Sequence, residues 1–518
     1  MDATAELALE VKQLREMLSR KNQLLDNKQQ RIHQLEEMLR SLTHRQYGAS
    51  SEKNPAQQTL FNEAETEVHT ADTSAADEDG DTVTVPAHQR KKHRRVSIPG
   101  WVEREAIIHD LPESEKVCPH DGAALKCIGE ETHEQLDIIP AQIKALRHIR
   151  KKYACPCCEG YLITAPKPKQ PIEKSIASPG LLAHIMLSKY ADALPLYRQA
   201  EIFKRLGIEL DRTSLANWMI RCGELLQPLI NLLHDKLLEQ PVLHMDETPV
   251  QVLNEPGKTA QSQSYMWVIA GGAASSPVVL FHYSTSRSQA TPNNLLGGYA
   301  GGLMVDGYEG YKAIGDHESV QRLGCWAHAR RKFIEAQRGQ PKKKQGRADY
   351  ALAQIQKLYA IEKQIKGEPP DKRYQVRQEK AQPIIDHLKQ WLEKSIPQVA
   401  PQTDIGKALS YLHNQWDRLV AYLDDGHYPI DNNRAENAIR PFVIGRKNWL
   451  FSHSQAGAKA SANLYSLIET AKANNANLYD YFKAVLTQLP NANTVEAIEQ
   501  LLPWEFKKAI KKQEGSCS

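Results

Sequence analysis

Apolar residues recur every seven positions near the beginning of the chain. Along 7–42 one heptad position holds Val11, Leu18, Leu25, Ile32 and Leu39, and a second holds Leu except at Lys21 and Lys28. Neither Gly nor Pro interrupts this pattern. A seam of this length predicts a coiled coil that pairs chains as a parallel dimer, so we expect 1–48 to be an oligomerisation helix. The alternative is a helix that packs on the protein's own core.

Downstream, the spacing of apolar residues changes and predicts a multidomain α+β protein. An acidic, apolar-poor stretch predicts a flexible linker, short alternating runs predict a small module with strands, and a helical period predicts helical segments. In chain order we expect the linker at 49–98, the small module at 99–172, a helical domain at 173–240, an α/β core at 241–334 that resumes at 426–453, an all-helical insertion at 335–425 and a helical C-terminal segment at 454–518.

The α/β core is predicted from short apolar runs separated by Gly and Ser. The runs at 265–270 and 277–283 predict a hairpin, a helix is expected at 290–296, and further strands are expected to end at Asp306 and near Cys325. Three successive strands followed by alternating helix and strand are typical of a ribonuclease-H-like sheet.

Three acidic residues are candidates for chemistry in this core. Asp246 and Asp306 each follow a short apolar run, which predicts a carboxylate at a strand end, and Glu436 lies in the first turn of a predicted helix. Carboxylates from two strands and one helix can hold a pair of divalent ions, the arrangement used for in-line phosphoryl transfer. The structural alternative for Glu436 is a capping box with Asn433 as the N-cap.

Basic residues follow Glu436 along the same segment. Arg440 lies one turn further on the same helical face, and Arg446 and Lys447 come next. These side chains would bring phosphate-binding charge beside a metal ligand. We expect Pro441 to end or kink the helix.

Charge is unevenly distributed over the 518 residues, although the formal net charge is only +4. Residues 63–81 are acidic, and a basic run follows at Arg90, Lys91, Lys92, Arg94 and Arg95. This run predicts contacts with DNA phosphates, or else a solvated stretch that balances the acidic linker. The chain is 41% hydrophobic, but no apolar run reaches membrane-spanning length, so we expect a cytoplasmic protein.

Five of the eight cysteines lie between Cys118 and Cys158, which favours metal over disulfides in a cytosolic chain. Cys155 and Cys158 form a C-x2-C pair that can place two thiolates on one zinc ion. We expect Cys118 to be the third ligand and Asp121 the fourth, with His120 or Cys127 as alternatives. A module with reduced thiols and no metal is the other possibility. Cys325 and His328 resemble half of a second zinc site, but no matching half follows, so we assign no metal there.

A pair of helices is predicted around Gly207. The second helix begins near Asp211, so Arg212, Thr213 and Asn217 would lie on its first turns. Two helices joined by a short turn with glycine suggest a helix-turn-helix that contacts a DNA groove. They are also an ordinary packing unit, and the sequence does not decide between the two.

These motifs, taken with the segment CWAHARRKF at 325–333, resemble the IS66-type insertion-sequence transposases, a DDE family with a ribonuclease-H-like fold. The resemblance implies that Asp246, Asp306 and Glu436 are the catalytic residues and bind two Mg²⁺ or Mn²⁺ ions. It implies strand cleavage and strand transfer on double-stranded DNA, both at the inverted-repeat ends of the element and at the target. It also implies a nucleoid-associated homo-oligomer and possible small accessory proteins of the element.

Two other functions fit parts of the sequence. A non-catalytic DNA-binding or regulatory protein would use the coiled coil, the zinc module and the helical pair, while the acidic residues only cap helices and form ion pairs. A ribonuclease-H-like nuclease would cleave DNA without strand transfer.

Overall fold

The structure is a computed structural model, and it describes residues 15, 17–23, 25, 28–29, 32, 104–105, 142–154, 162–315, 317–338 and 346–508. The described positions between 15 and 32 are helical. Within them, Leu18, Leu25 and Ile32 of the predicted seam are 62%, 60% and 54% exposed in the single chain. Lys21 and Lys28, which interrupt the seam, are also exposed, whereas its remaining apolar positions lie outside the described residues, and the coiled coil therefore stays a prediction.

The chain divides into two compact units, one formed by Asp77–Pro166 and one by Met1–Ala76 with Lys167–Ser518. In the smaller unit, β1 (Lys152–Ala154) pairs antiparallel with β2 (Leu162–Thr164). The connection between these strands carries Cys155 and Cys158. It lies outside the described residues, as do the other predicted zinc ligands and the basic run, namely Cys118, His120, Asp121, Cys127 and 90–95.

Within 167–241, four helices precede the main sheet: α1 (Pro179–Tyr190), α2 (Leu196–Arg205), α3 (Arg212–Leu225) and α4 (Gln227–Leu238). Asp211 caps α3, because its carboxylate accepts the N–H of Thr213 at 2.9 Å. Gly207, with φ of +82°, allows the turn from α2 to α3. The apolar faces of these helices share one hydrophobic core with the sheet.

The sheet contains β3 (Val242–Asn254), β4 (Gln263–Gly271), β5 (Val278–Ser284), β6 (Gly301–Val305) and β7 (Val320–Gly324) in the order β5-β4-β3-β6-β7. The pairs β5–β4 and β4–β3 are antiparallel, whereas the pairs β3–β6 and β6–β7 are parallel. The hairpin expected from 265–283 is present. The short helices α5 (Ala290–Leu295) and α6 (Lys312–Gly315) lie in the connections.

The predicted strand end is correct for Asp306 and wrong for Asp246. Asp306 follows β6 directly. Asp246 lies inside the 13-residue strand β3, which continues because its antiparallel pairing with β4 extends to Gln251. The parallel pairing of β3 with β6, however, stops at His244 opposite Met304. Asp246 therefore lies just beyond the point where β3 stops pairing with β6. This position still brings Asp246 and Asp306 to the same edge of the parallel strands.

Helices fill the described part of 326–423: α7 (Trp326–Arg338), α8 (Arg347–Gln364), α9 (Pro370–Val376), α10 (Gln382–Ser395), α11 (Asp404–Asn414) and α12 (Trp416–Val420). They pack around a core of their own. Arg377 is fully buried in the π-helical turn between α9 and α10, and it donates two hydrogen bonds of 2.7 Å to Glu362. This bidentate ion pair compensates the charges of both Arg377 and Glu362 inside this core.

The chain returns to the sheet through α13 (Asn433–Trp449), and β8 (Ser452–Ser454) pairs with the far end of β3. The expected helix end at Pro441 is wrong. Proline removes a single N–H bond within the helix, and the buried side chains of Ile439 and Phe442 on either side of Pro441 hold the helix on the core.

The C-terminal helices are α14 (Gln455–Ala473), α15 (Leu478–Gln488) and α16 (Val495–Glu499). Helix α14 lies along the outer strand β5, where the hydroxyl of Ser466 accepts the N–H of Phe281 at 2.7 Å. The hydroxyl of Thr470 accepts the N–H of Val279 at 3.1 Å and donates to its carbonyl at 2.9 Å. These bonds satisfy backbone groups that an edge strand would otherwise leave unpaired.

Candidate active site

Two aspartates lie at the edge where β6 ends, and each is held by a local hydrogen bond. The carboxylate of Asp246 accepts the N–H of Glu247 at 2.8 Å, and that of Asp306 accepts the N–H of Tyr308 at 2.9 Å. Both side chains are partly buried. Each bond uses one carboxylate oxygen and fixes the side-chain direction, so the second oxygen remains available for a ligand.

Glu436 lies in the first turn of α13 and is only 3% exposed. Its carboxylate faces α7, which follows β7 after a single residue. One oxygen, Oε2, lies 3.4 Å from the guanidinium of Arg331, and the other, Oε1, lies 3.5 Å from Nδ1 of His328. Helix α7 therefore supplies the immediate neighbours of this glutamate.

The acidic side chains are close enough to influence one another. Burial raises the pKa of Asp246 well above its usual value, and the charges of Glu247, Glu436 and Asp306 raise it further. Burial also raises the pKa of Glu436, against the opposing charge of Arg331. Like charges in a poorly solvated site destabilise each other, so this cluster is chemically suited to a divalent cation with carboxylate ligands.

Glu247 is a fourth acidic residue of the cluster, which the sequence analysis missed. Its buried carboxylate accepts hydrogen bonds from Nε of Arg287 at 2.7 Å and from the hydroxyl of Tyr311. The Arg287 guanidinium lies 3.7 Å over the ring of Tyr308, and the Tyr308 hydroxyl donates to the Arg287 carbonyl. This network joins the strand that carries Asp246 to the loop that follows Asp306. The adjacency of Asp246 and Glu247 was visible in the sequence, but these long-range partners were not.

The capping box that was the structural alternative for Glu436 is not formed. The helix begins one residue earlier than expected, since Asn432 is the N-cap residue and its carbonyl accepts the N–H of Glu436 at 3.1 Å. Asn433 is the first helical residue, and its amide donates to Asp431. With its carboxylate directed at His328 and Arg331, Glu436 is not used as a cap.

The side chain of Asn432 instead crosses to strand β3. Its amide nitrogen donates to the carbonyl of Met245 at 2.9 Å, so its oxygen accepts from Nδ1 of His244 at 3.1 Å. All three residues are buried. Because Met245 precedes Asp246, Asn432 fixes the helix of Glu436 directly against the strand that carries Asp246.

Cys325 and His328 both lie beside Glu436. The thiol of Cys325 is buried and accepts the backbone N–H of Asn432 at 3.2 Å, and burial raises the pKa of this thiol. Burial and the charge of Arg331 lower the pKa of His328 to about 4. Ligand atoms of Cys325, His328 and Glu436 lie within 4.8 Å of one another. The sequence could not show this grouping, because Glu436 comes from a distant helix.

The candidate DNA-binding residues have different environments. Arg212 is exposed at the start of α3, and Lys447 is exposed near the end of α13. Arg440 is partly buried. Arg446 donates to the hydroxyl of Thr248 at 3.1 Å and to the carbonyl of Pro249, so it holds α13 to β3.

Comparisons with known proteins identify relatives of the whole chain. A family model described as Transposase IS66 family matches 174–460, more than half of the chain. Further models match as a zinc-finger binding domain of transposase IS66 at 115–159, an IS66 C-terminal element at 466–504 and Transposase C of IS166 homeodomain at 34–107. Within the described residues, none of the helices is long and apolar enough to cross a bilayer.

Similar full-length proteins occur in Sinorhizobium fredii. Uncharacterized protein y4jD is 34% identical over 443 residues, which cover 83% of this chain and 85% of that protein. Uncharacterized protein y4qI is 32% identical over 498 residues, which cover 92% of this chain and 90% of that protein.

The Asn432 contacts generate a stability prediction. Asn432→Ala leaves the carbonyl of Met245 and Nδ1 of His244 buried without their partner, so we expect a loss of about 1–3 kcal/mol in unfolding free energy. Thermal unfolding measures the loss, and hydrogen exchange locates it in the first turn of α13. Asn437→Ala, at an exposed position one turn further on, is the control. Equal melting temperatures for the two variants would contradict the assigned role.

Proposed function

The chain belongs to the IS66 family of transposases, and from that premise we propose that it cleaves DNA at the ends of its insertion sequence and joins them to target DNA. The observation that carries this proposal is the convergence of Asp246, Asp306 and Glu436. They are separated widely in the chain, yet Asp306 and Glu436 both raise the pKa of Asp246.

The sheet topology supports the proposed chemistry. Its order, with antiparallel pairs on one side of β3 and parallel pairs on the other, is that expected of a ribonuclease-H-like core. We assign 241–334 and 426–453 to this core and 335–425 to a helical insertion. In this assignment, Asp246 comes from the central strand, Asp306 from its parallel neighbour and Glu436 from the helix that returns after the insertion.

The donor set fits Mg²⁺ or Mn²⁺, because carboxylate oxygens are the ligands these ions prefer. Asp246, Asp306 and Glu436 would hold two such ions, which supply an activated attacking oxygen and stabilise the leaving oxygen. The protein's own residues orient the carboxylates: Asn432 fixes the helix of Glu436, and the network of Glu247, Arg287 and Tyr308 fixes the loop of Asp306. No covalent enzyme intermediate is required.

We further propose that double-stranded DNA is bound by the zinc module, the basic run at 90–95 and the exposed side chains of Arg212 and Lys447. Arg440, one turn beyond Glu436, would act nearer the scissile phosphate, whereas Arg446 would act mainly by holding α13. The protein would work on chromosomal DNA in the cytoplasm, as part of the nucleoid, with accessory proteins of its element where these exist.

Glu436→Gln tests the catalytic proposal. Glutamine preserves the shape of the side chain and removes its charge, so we expect Mg²⁺-dependent cleavage of element-end DNA to fall by about 10³-fold or more. Folding and DNA binding should remain near normal. A gel assay of strand cleavage, with DNA binding measured separately, provides the readout.

The matched control is Glu469→Gln, which neutralises a buried glutamate on α14 that pairs with Lys472. Cleavage by Glu436→Gln within a few fold of wild type would remove Glu436 from the site. Absence of Mg²⁺-dependent cleavage by the wild type would favour the non-catalytic DNA-binding protein. Cleavage without joining of a pre-cut end to plasmid DNA would favour a nuclease that lacks strand transfer.

The zinc assignment predicts about one zinc ion per chain in protein purified under reducing conditions. Cys155→Ser with Cys158→Ser should abolish zinc binding, whereas Cys517→Ser, near the end of the chain, should not change it. Elemental analysis measures the metal content. Full zinc occupancy in the double variant would refute the assignment.

The fourth zinc ligand requires its own comparison. We expect Asp121→Ala to weaken zinc binding, as measured by competition with a chromophoric chelator. An unchanged affinity would exclude Asp121 and transfer the role to His120 or Cys127, whose substitutions then identify the ligand.

The exposed apolar seam predicts a coiled-coil dimer. Leu18→Asp with Leu25→Asp places charge in the seam, so we expect a shift toward the monomer mass in analytical ultracentrifugation. Ser19→Asp with Gln23→Asp adds the same charge to other exposed positions of the described helix and should keep the dimer. An unchanged mass for the seam variant would contradict the prediction.

A further inference from the structure

We propose that Nδ1 of His328 and Oε1 of Glu436 together bind one divalent transition-metal ion, so that this part of the active site prefers Mn²⁺ to Mg²⁺. The proposal rests on the proposed function in sharing Glu436, and it adds a nitrogen ligand to the carboxylates. Its basis is a pair of buried polar atoms that face each other across 3.5 Å.

Neither atom has a hydrogen-bond partner among the described residues, and both are shielded from solvent. Buried polar atoms are ordinarily paired, so two orphaned atoms side by side indicate a missing partner that can satisfy both. A cation does so, because each atom can offer it a lone pair. Glu436 itself is only 3% exposed, so its carboxylate is enclosed and is not a surface acidic group.

The separation of the two atoms fits a shared ion. Ligand atoms bound at about 2.1 Å to one ion lie about 3.0 Å apart at a right angle and about 3.4 Å apart at a tetrahedral angle. The observed separation of 3.5 Å is near the tetrahedral value. It is about 0.5 Å longer than the right-angle value of an octahedral Mn²⁺ ion, so a small shift of the two side chains lets both bind one ion.

The second carboxylate oxygen of Glu436 is already directed elsewhere. Arg331 lies 3.4 Å from Oε2, which orients the carboxylate and leaves Oε1 toward His328. Helix α7 holds the imidazole in place, because Trp326 and Phe333, on either side of His328 in the chain, are fully buried. The two ligand atoms are thus positioned before an ion arrives.

The ligand types select the class of ion. Mg²⁺ is usually bound by oxygen alone, whereas imidazole nitrogen is a good ligand for first-row transition metals. A histidine and a carboxylate beside further carboxylates fit Mn²⁺. Cys325 lies in the same group of ligand atoms, but its sulfur already accepts the N–H of Asn432. We assign that sulfur to the helix start and not to the ion.

Electron paramagnetic resonance of Mn²⁺ tests the site directly, without DNA and without turnover. The probe is Mn²⁺ added to the full-length, zinc-loaded protein after removal of any histidine tag. We expect pulsed measurements to detect a ¹⁴N nucleus coupled to bound Mn²⁺. In His328→Ala this coupling should disappear, and the tightest Mn²⁺ binding should weaken about tenfold or more, while Mg²⁺ affinity changes less than about twofold.

Two controls keep the result specific. His413→Ala removes an exposed imidazole on α11 and should retain both the coupling and the affinity. Cys325→Ser keeps an acceptor for the N–H of Asn432 and should also retain both. Loss of Mn²⁺ binding in Cys325→Ser would overturn the two-ligand site in favour of a thiolate site. Matching melting temperatures of the variants would show that each one is folded.

Absence of nitrogen coupling in wild type, or its persistence in His328→Ala, would overturn the inference. These outcomes are separate from failure of the proposed function. Wild-type protein that shows the coupling but cleaves no DNA with either metal would refute transposition and leave the metal site intact. Cleavage without nitrogen coupling would refute the metal site alone.

Discussion

Mutual repulsion among partly and fully buried carboxylates is the constraint on which the rest of the candidate active site depends. Burial raises the pKa of Asp246, Glu247 and Glu436, and the charge of Asp306 raises the pKa of all three further. Desolvated like charges oppose folding unless opposite charges and hydrogen bonds offset them. The surrounding structure supplies both. Arg331 lies against Glu436, and Arg287 and Tyr311 bind Glu247, so the group is held together before any ion compensates its charge.

Long-range contacts are needed because the carboxylates come from distant parts of the chain. The helical segment between β7 and α13 begins and ends at the same place: the backbone N–H of Trp326 donates to the carbonyl of Ile430, and its indole donates to the carbonyl of Leu419. This closure returns the chain beside α7 just before α13 begins. Asn432 then joins α13 to β3. A helical segment with its own core can therefore be long without loosening the candidate site, since only its two ends set the position of Glu436.

Features of the fold that depend on a short stretch of sequence could be predicted, whereas features that depend on contacts between distant elements could not. The hairpin from β4 to β5 and the aspartate after β6 follow from apolar runs that end at a polar residue. Asp246 was misplaced at a strand end because its own run gives no sign that β4 pairs with the strand as far as Gln251. Proline disfavours the interior of a helix, but tertiary packing overrides this preference at Pro441. The sequence also could not show that the side chain of Asn432 crosses to β3.

The same difference between local patterns and long-range contacts explains why the role of Glu436 was ambiguous from sequence alone. A glutamate in the first turn of a helix has a local use as a cap, and local patterns cannot exclude it. What excludes it is the position of the helix start: Asn432 is the N-cap residue, so Glu436 lies one position beyond the one that a capping box uses, and the Asn432 side chain binds Met245 and His244 instead. Glu436 is thereby left to face His328 and Arg331. The residue that fixes the helix to the sheet thus also marks the helix start that leaves the Glu436 carboxylate facing α7.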